Sequence, residues 1–254
     1  MEDSPLFISA LAKGLCVLEA FNSSSPTMNL PEMAAACGIS TSAAQRIAFT
    51  LQQLGYLRKD ERSKRYGLTV RAMSLGYAYL MTEPLLQRAH PVLNELGQEC
   101  GESVNLSVPD GKDMVFVTRI PSKKHIPVYM PIGKRIPAIS SASGRAVLSC
   151  RASDEVERFI DSSPIERFTS RTTVDREQLL ALVAEAAANG YAYAAEEYYL
   201  GDLNVAAAVV DHAGIPLAAV NVSVPTSRWT LEQVKKDLGP LVIRAARAIG
   251  QRAD

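Results

Sequence analysis

The chain has 254 residues, with 27 Lys and Arg balanced by 27 Asp and Glu and 47% hydrophobic side chains. That is the make-up of an ordinary globular protein, long enough for one large domain or two smaller ones, and a formal charge of zero argues against a chain that is basic throughout. No apolar run reaches the roughly 18 residues of a membrane span, the MEDSPLF start is acidic where a signal peptide is basic, and the scattered Cys16, Cys37, Cys100, Cys150, His90, His125 and His212 form no ligand spacing, so a cytoplasmic protein without membrane partner, disulfide framework, metal site or cofactor is expected.

Along the chain, residues 8–21 carry Ile8, Leu11, Leu15, Leu18 and Phe21 every three or four positions, which predicts a helix with that stripe facing a core. A second helix is predicted from Leu30, Met33, Ala34 and Cys37, with Pro31 in its first turn and Gly38 as its stop. A third runs over 39–54, with Ser40 or Thr41 as N-cap, Ala44, Ile47, Leu51 and Leu54 inward, and Gly55 at its end. Two helices joined by a tight turn are a helix-turn-helix pattern, whose second helix can enter the DNA major groove. Residues 56–68 then read as strand, turn, strand, a basic hairpin placed as a wing.

The charge is concentrated here. Arg46, Arg58, Lys59, Arg62, Lys64, Arg65 and Arg71 face only Asp60 and Glu61 within 38–71, a net of +5, whereas 83–254 carry 19 basic and 21 acidic side chains, a net of −2. Helical spacing resumes over 70–81 and breaks at Glu83-Pro84, where the domain junction is expected. This gives residues 1–69 as a DNA-binding domain, 70–83 as a linker helix and 84–254 as a second domain.

In the second domain an amphipathic helix is predicted over 85–100, then strands over 103–108 and 114–120 around a Pro-Asp-Gly-Lys turn, with 126–130 as a third. Helical spacing occupies 142–150, 153–160 and 175–189, a strand pair 203–210 and 216–224 surrounds Asp211-His212-Ala213-Gly214, and a last helix covers 230–249. The fold class is α+β, with an antiparallel sheet.

Residues 30–76 (LPEMAAACGISTSAAQRIAFTLQQLGYLRKDERSKRYGLTVRAMSLG) resemble the winged helix-turn-helix of the IclR family of bacterial transcription regulators. Residues 137–146 (PAISSASGRA), Gly190-Tyr191 followed by Glu196-Glu197 and Leu200-Gly201, and 211–223 (DHAGIPLAAVNVS) resemble later blocks of that family in the same order. The resemblance implies a C-terminal effector domain of GAF-like fold and assembly as a homodimer or dimer of dimers. It also places the family's pocket positions on His125, Val128, Ile136, Ala142, Ser143, Asp202, Asn204, Asn221 and Ser223. Two departures stand out: an acidic pocket residue of some members maps onto Ala194 and a Cys onto Asn204, so a glyoxylate-like ligand is not assumed.

On the third helix Ser40, Thr41, Ser42, Gln45, Arg46, Phe49 and Gln52 lie away from the apolar stripe, where an amide can bond adenine, Arg can bond guanine or phosphate, and hydroxyls suit phosphate oxygens. Arg58, Lys59, Arg62, Lys64 and Arg65 are expected on the phosphate backbone of double-stranded operator DNA. In the second domain Ser140, Ser141, Ala142, Ser143 and Gly144 open a helix whose free N–H groups and hydroxyls could seat a carboxylate, so a small organic acid, with an aromatic carboxylate favoured, is the expected effector. Asn221 and Ser223, two apart on a strand, share a face; Arg119 and Arg135 are further candidate partners for an anion. A ligand-released repressor of a catabolic operon is the default reading and an activator the alternative. An enzyme with a DNA-binding appendage is less favoured because no nucleophile, base and orienting group converge in the sequence, and Glu196-Glu197, read as neighbours on a strand, would point apart.

Overall fold

Local chemistry accounts for each boundary of the first helices. In the computed structural model, which describes residues 4–124 and 130–251, the chain divides into two units, Met1–Thr82 and Glu83–Asp254. The first holds helices α1 (Ser9–Glu19), α2 (Leu30–Ala36) and α3 (Thr41–Gln53). A capping box starts α2: Asn29 Oδ1 accepts from the Glu32 amide at 2.9 Å, and the Glu32 carboxylate accepts from the Asn29 amide at 2.8 Å. Gly38, at φ +62°, makes the turn that a side chain would strain, and Ser40 Oγ caps α3 by accepting from the Ala43 amide at 3.2 Å. Val17, Met33, Ala44 and Ala48 form the centre of this unit's core.

The stripe expected to bury α1 does so only in part. Val17 is fully buried, but Leu11 and Leu15 are 60% and 45% exposed. They line an apolar groove of about 710 Å³ together with Leu18, Leu54 and Leu75. Spacing marks an apolar face; it does not say how much of that face the neighbouring helix covers. Tertiary packing also brings together two of the scattered cysteines: burial and a side-chain contact with Cys16 push the Cys37 thiol up to about 12.

Strands β1 (Leu57–Lys59) and β2 (Tyr66–Leu68) pair antiparallel, Arg58 opposite Gly67, and Met28 bridges to Tyr66 on the other side. Asp60 Oδ1 folds the tip by accepting from the amides of Arg62 and Ser63 at 2.9 and 2.8 Å. A 3-10 turn (Val70–Ala72) leads into α4 (Met73–Thr82), and Glu83 is extended before α5 (Pro84–Cys100) begins.

The second unit is built on a six-stranded antiparallel sheet of β3 (Ser103–Asp110), β4 (Asp113–Ile120), β5 (Arg135–Pro137), β6 (Ala192–Ala195), β7 (Asp202–Val210) and β8 (Pro216–Pro225), in the order β5-β4-β3-β8-β7-β6. The hairpin turn between β3 and β4 is tighter than the expected four residues, because Pro109 and Asp110 stay in the strand opposite Met114 and Asp113. Edge strand β5 was not expected, and the third strand expected over 126–130 falls on residues 126–129 outside the described ones, with Met130 in irregular backbone. Three central strands alternate: Val104, Leu106, Val205, Val220 and Val222 point to the face that packs on α5 and α10 (Gly239–Gly250). The opposite face carries Ser103, Asn105, Asn204, Asn221 and Ser223, and is covered by α6 (Ala142–Leu148). Small residues permit that approach, with Ala142 and Ala146 of α6 seated on Ala192, Ala194 and Ala206. Helices α7 (Ser153–Asp161) and α8 (Arg176–Asn189) pack outside α6 around Ile139, Leu148, Ile160 and Leu179. The single C-terminal helix read from the sequence is three pieces: α9 (Leu231–Gln233), a π-helical turn (Val234–Leu238) and α10, which opens with Gly239-Pro240. Pro240 lacks the N–H that an uninterrupted helix would use at that point.

Candidate functional site

In the first unit, α3 presents Thr41, Ser42, Gln45, Arg46 and Phe49 to solvent, while Ala44, Ala48 and Leu51 hold it to the core. The Ser40 hydroxyl serves the cap and lies 3.1 Å from Ser42 Oγ. The basic side chains separate into two groups. Arg65 reaches back to α2, with bidentate bonds to the Glu32 carboxylate at 3.1 and 2.7 Å and bonds to Thr27 Oγ1 and carbonyl at 2.9 and 2.6 Å, so it ties the wing to the helix-turn-helix. Lys64 and Lys59 both approach Glu61, at 2.9 and 3.5 Å. Among the described residues Arg46, Arg58 and Arg62 enter no salt bridge.

In the second unit a partly enclosed cavity of about 30 Å³ lies between α6 and the polar sheet face. Of the residues singled out in the sequence, Ile136, Ser140, Ser141, Ala142, Ser143, Ala194, Asp202, Asn204 and Asn221 line it. Gly144 and Ser223 do not. A Cβ at Gly144 would sit 2.2 Å from the Ala138 carbonyl oxygen, so glycine is required there for α6 to abut the preceding turn. Ser223 lies against the wall and donates its hydroxyl to Asp202 Oδ1 at 2.7 Å. Ser141 is the N-cap of α6, accepting from the Gly144 amide at 3.0 Å. His125 and Val128 lie outside the described residues. Arg135 is engaged on the surface by Asp110 and Asp113 at 2.7 and 3.0 Å, and Arg119 donates to Asn105 and Ser103.

The polar wall is a connected network. Asn221 donates Nδ2 to Asn204 Oδ1 at 2.9 Å, and Asn204 donates Nδ2 to Asp202 Oδ2 at 2.6 Å. Burial pushes the Asp202 carboxyl up to about 6, while the bonds from Ser223 and Asn204 and the charge of Arg119 oppose that rise.

Sequence reasoning missed the strongest interaction beside this cavity. Arg145 of α6 and Glu197, both buried, form two bonds of 2.6 Å, and Arg145 also donates to the carbonyls of Ile139 at 3.0 Å and Tyr193 at 3.2 Å. Glu196 and Glu197 are not neighbours on a strand: both follow β6, and Glu196 has φ +56°. Tyr198 and Tyr199, ring centroids 4.9 Å apart, add an aromatic wall with Phe116 and Met130. Their only signal in the sequence was proximity to the Glu196-Glu197 block.

A basic winged helix-turn-helix followed by a sheet domain with a polar cavity defines a DNA-binding transcriptional regulator. The chain matches the IclR helix-turn-helix domain over residues 10–61 and the C-terminal domain of the bacterial transcriptional regulator IclR over residues 77–251. It is 30% identical to the acetate operon repressor of Salmonella typhimurium over 244 residues, covering 95% of this chain and 89% of that protein. An IclR family transcriptional regulator from Brucella abortus superposes with a TM-score of 0.86 at 26% identity, over 100% of this chain and 95% of that one. The fold is also that of an IclR homologue from Microbacterium hydrocarbonoxydans complexed with 4-hydroxybenzoate, with TM-score 0.76, 23% identity and 95% and 98% of the two chains covered. The chain belongs to the IclR family. No helix among the described residues is long and apolar enough to cross a membrane.

Proposed function

We propose that this regulator is a cytoplasmic repressor of a catabolic operon, bound to double-stranded operator DNA as a homodimer or dimer of dimers and released by a small organic acid, an aromatic carboxylate being the favoured class. The observation that carries the reading is the pairing, in one chain, of exposed Arg46, Arg58 and Arg62, which enter no salt bridge among the described residues, and a cavity in the second unit whose lining includes Ser143, Asn204 and Asn221. Arg46 and Gln45 would read bases, Phe49 would contact a thymine methyl, and the α3 N-terminus with Ser40, Thr41 and Ser42 would meet phosphate. Arg58 and Arg62 would hold the backbone, with Lys64 joining them and Arg65 setting the wing's angle.

In the second unit the acid's carboxylate would lie at the start of α6, against Ser143 and the amides of Ala142 and Ser143. A cavity of about 30 Å³ holds only one or two waters, so an aromatic acid must displace the wall around Tyr198, Tyr199 and Met130. Such a displacement is what gives a ligand unequal affinity for two arrangements of the protein. The Microbacterium hydrocarbonoxydans fold neighbour is complexed with 4-hydroxybenzoate, and the Salmonella typhimurium relative is a repressor, which supports both halves of the reading. An enzymatic role has little support in the wall itself, where Glu197 is bonded to Arg145 and Asp202 to Ser223 and Asn204.

The test is fluorescence anisotropy with the labelled intergenic DNA upstream of the protein's own gene. Arg46→Ala is expected to weaken binding by about 1–3 kcal/mol with the fold intact, and an aromatic acid is expected to release the wild type. Unchanged affinity in Arg46→Ala removes α3 as the reading helix; binding insensitive to every acid tried removes the effector assignment.

A further inference from the structure

The Glu32 carboxylate serves two structures at once. Its Oε2 accepts from the Asn29 amide at 2.8 Å, which closes the capping box of α2, and from Arg65 Nη2 at 2.7 Å, while Oε1 accepts from Arg65 Nη1 at 3.1 Å. Arg65 continues to Thr27, donating to its hydroxyl at 2.9 Å and its carbonyl at 2.6 Å. Beside them Met28 and Tyr66 exchange backbone bonds of 2.9 and 2.8 Å. The bond from the Asn29 amide, followed by those from Arg65, holds the Glu32 carboxyl below its usual range, so it is ionised at neutral pH.

The place of this tie gives it a consequence for DNA. Strands β1 and β2 have three residues each, and a two-stranded ribbon of that size is marginal by itself. Leu57 and Tyr66 root it in the core, where Met33 and Ala34 of α2 also meet Ala44 and Ala48 of α3. Arg65 stands next to Tyr66 on the side of the tip, which carries Arg62 and Lys64. The tie to Glu32 therefore joins the basic tip to the body that holds the reading helix. The pair is partly exposed, Arg65 at 36% and Glu32 at 44%, and an ion pair in such a setting adds little to stability. Its fork of parallel bonds fixes direction instead.

We infer that Glu32 is a positioning residue for operator binding: through Arg65 it holds the wing where Arg58, Arg62 and Lys64 meet phosphate, so that an anion on the DNA-binding unit strengthens the grip on a polyanion. The inference rests on the wing contacts proposed above. Its sign sets it apart from a simple charge effect. Were charge alone at work, removing the carboxylate and releasing Arg65 would tighten binding and steepen its salt dependence by about 0.9 for each added phosphate contact.

Glu32→Gln separates the two roles of the side chain. Gln also serves in a capping box and keeps an oxygen for the Asn29 amide, but it turns an NH2 group toward Arg65. Operator binding by the full chain is measured by fluorescence anisotropy over a range of KCl concentrations, with urea midpoints taken by circular dichroism. Arg58→Ala combined with Arg62→Ala comes first; if it leaves affinity and salt slope intact, the wing reading falls and the inference with it. Where that variant does lose affinity, Glu32→Gln is expected to bind roughly tenfold more weakly, with a slope flatter by about one for each wing and a urea midpoint close to that of the wild type. Unchanged or tighter binding overturns the inference and leaves the wing contacts standing. Adding Arg65→Ala to Glu32→Gln is expected to cost less than about twofold more, since both changes cut the same tie. A larger further loss shows that Arg65 itself holds phosphate and overturns the positioning role. Should Glu32→Gln fail to fold, Thr27→Val removes the hydroxyl acceptor of Arg65 without touching the capping box and is expected to lower affinity and slope in the same direction; full affinity there overturns the inference equally.

Discussion

Asp202 and Glu102 are both shielded from solvent, Asp202 the more deeply packed of the two, and their carboxyls shift in opposite directions. The Glu102 side chain is wholly buried, yet it accepts from Lys124 at 3.0 Å, Trp229 at 3.1 Å and Arg228 at 2.6 Å, and these bonds outweigh burial and hold its carboxyl below the ordinary value. Asp202 has neutral donors and only the distant field of Arg119, so burial wins and its carboxyl lies near 6 against an ordinary 3.8. A carboxyl raised in the folded state binds its proton more tightly there than in the unfolded chain. Its contribution to stability is therefore full below pH 3.8 and is lost as pH rises through about 6, a loss of about 3 kcal/mol. Denaturant titrations from pH 4 to 7.5 should show Asp202→Asn lacking this downward slope relative to wild type; parallel profiles would mean that Asp202 titrates normally.

Helix α6 is only seven residues long and depends on three supports of different kinds. Ser141 caps it, Gly144 lets it touch Ala138, and Arg145 clamps it to the segment after β6 through Glu197. Removing one partner of a buried ion pair leaves a desolvated charge, so Glu197→Gln is expected to cost about 3–5 kcal/mol, whereas Ser141→Ala is expected to cost about 1 kcal/mol. Urea unfolding followed by circular dichroism would rank the two. A smaller cost at Glu197 than at Ser141 would show that the pair is not the main support. Because α6 forms one wall of the cavity and Glu197 another, this clamp is also the element through which a bound acid would be felt beyond the site.

Across the molecule, the exposed large apolar side chains gather in the first unit. Leu11, Leu15, Leu54, Leu75, Met73, Tyr77 and Met81 are all exposed there, and four of them line or border the groove along α1 and α3. Under the homodimer proposed above, a second copy would cover this patch and so bring two reading helices to two half-sites. Leu11→Asp combined with Leu75→Asp is expected to shift the chain toward monomer in sedimentation velocity and to weaken operator binding by roughly tenfold or more. A dimer of undiminished affinity would place the interface elsewhere. The net charge of zero hides the other global feature, because the basic excess within 38–71 is partly neutralised internally at Lys64 and Arg65.

What was written in the sequence alone is what local chemistry controls. Capping residues, stop glycines and the pre-proline break give α2, α3, α5 and α8 within a residue or two, since caps and left-handed glycines act on their immediate neighbours. The alternation Val220, Asn221, Val222, Ser223 gives the strand and its two faces in the same way. Alternation of that kind usually means one face in water, and nothing local says that α6 buries the polar face instead; the resemblance pointed Asn221 and Ser223 to a pocket, and the packed sheet shows them buried beneath α6. Arg145 and Glu197 stand far apart in the chain, and no periodicity links them. Nor could spacing show that Arg65 pairs with Glu32, or that Leu11 faces a groove. Propensity, capping and alternation are set by neighbours along the chain, whereas ion pairing, cavity formation and the covering of a face depend on which distant surfaces meet, and that is settled when the core closes.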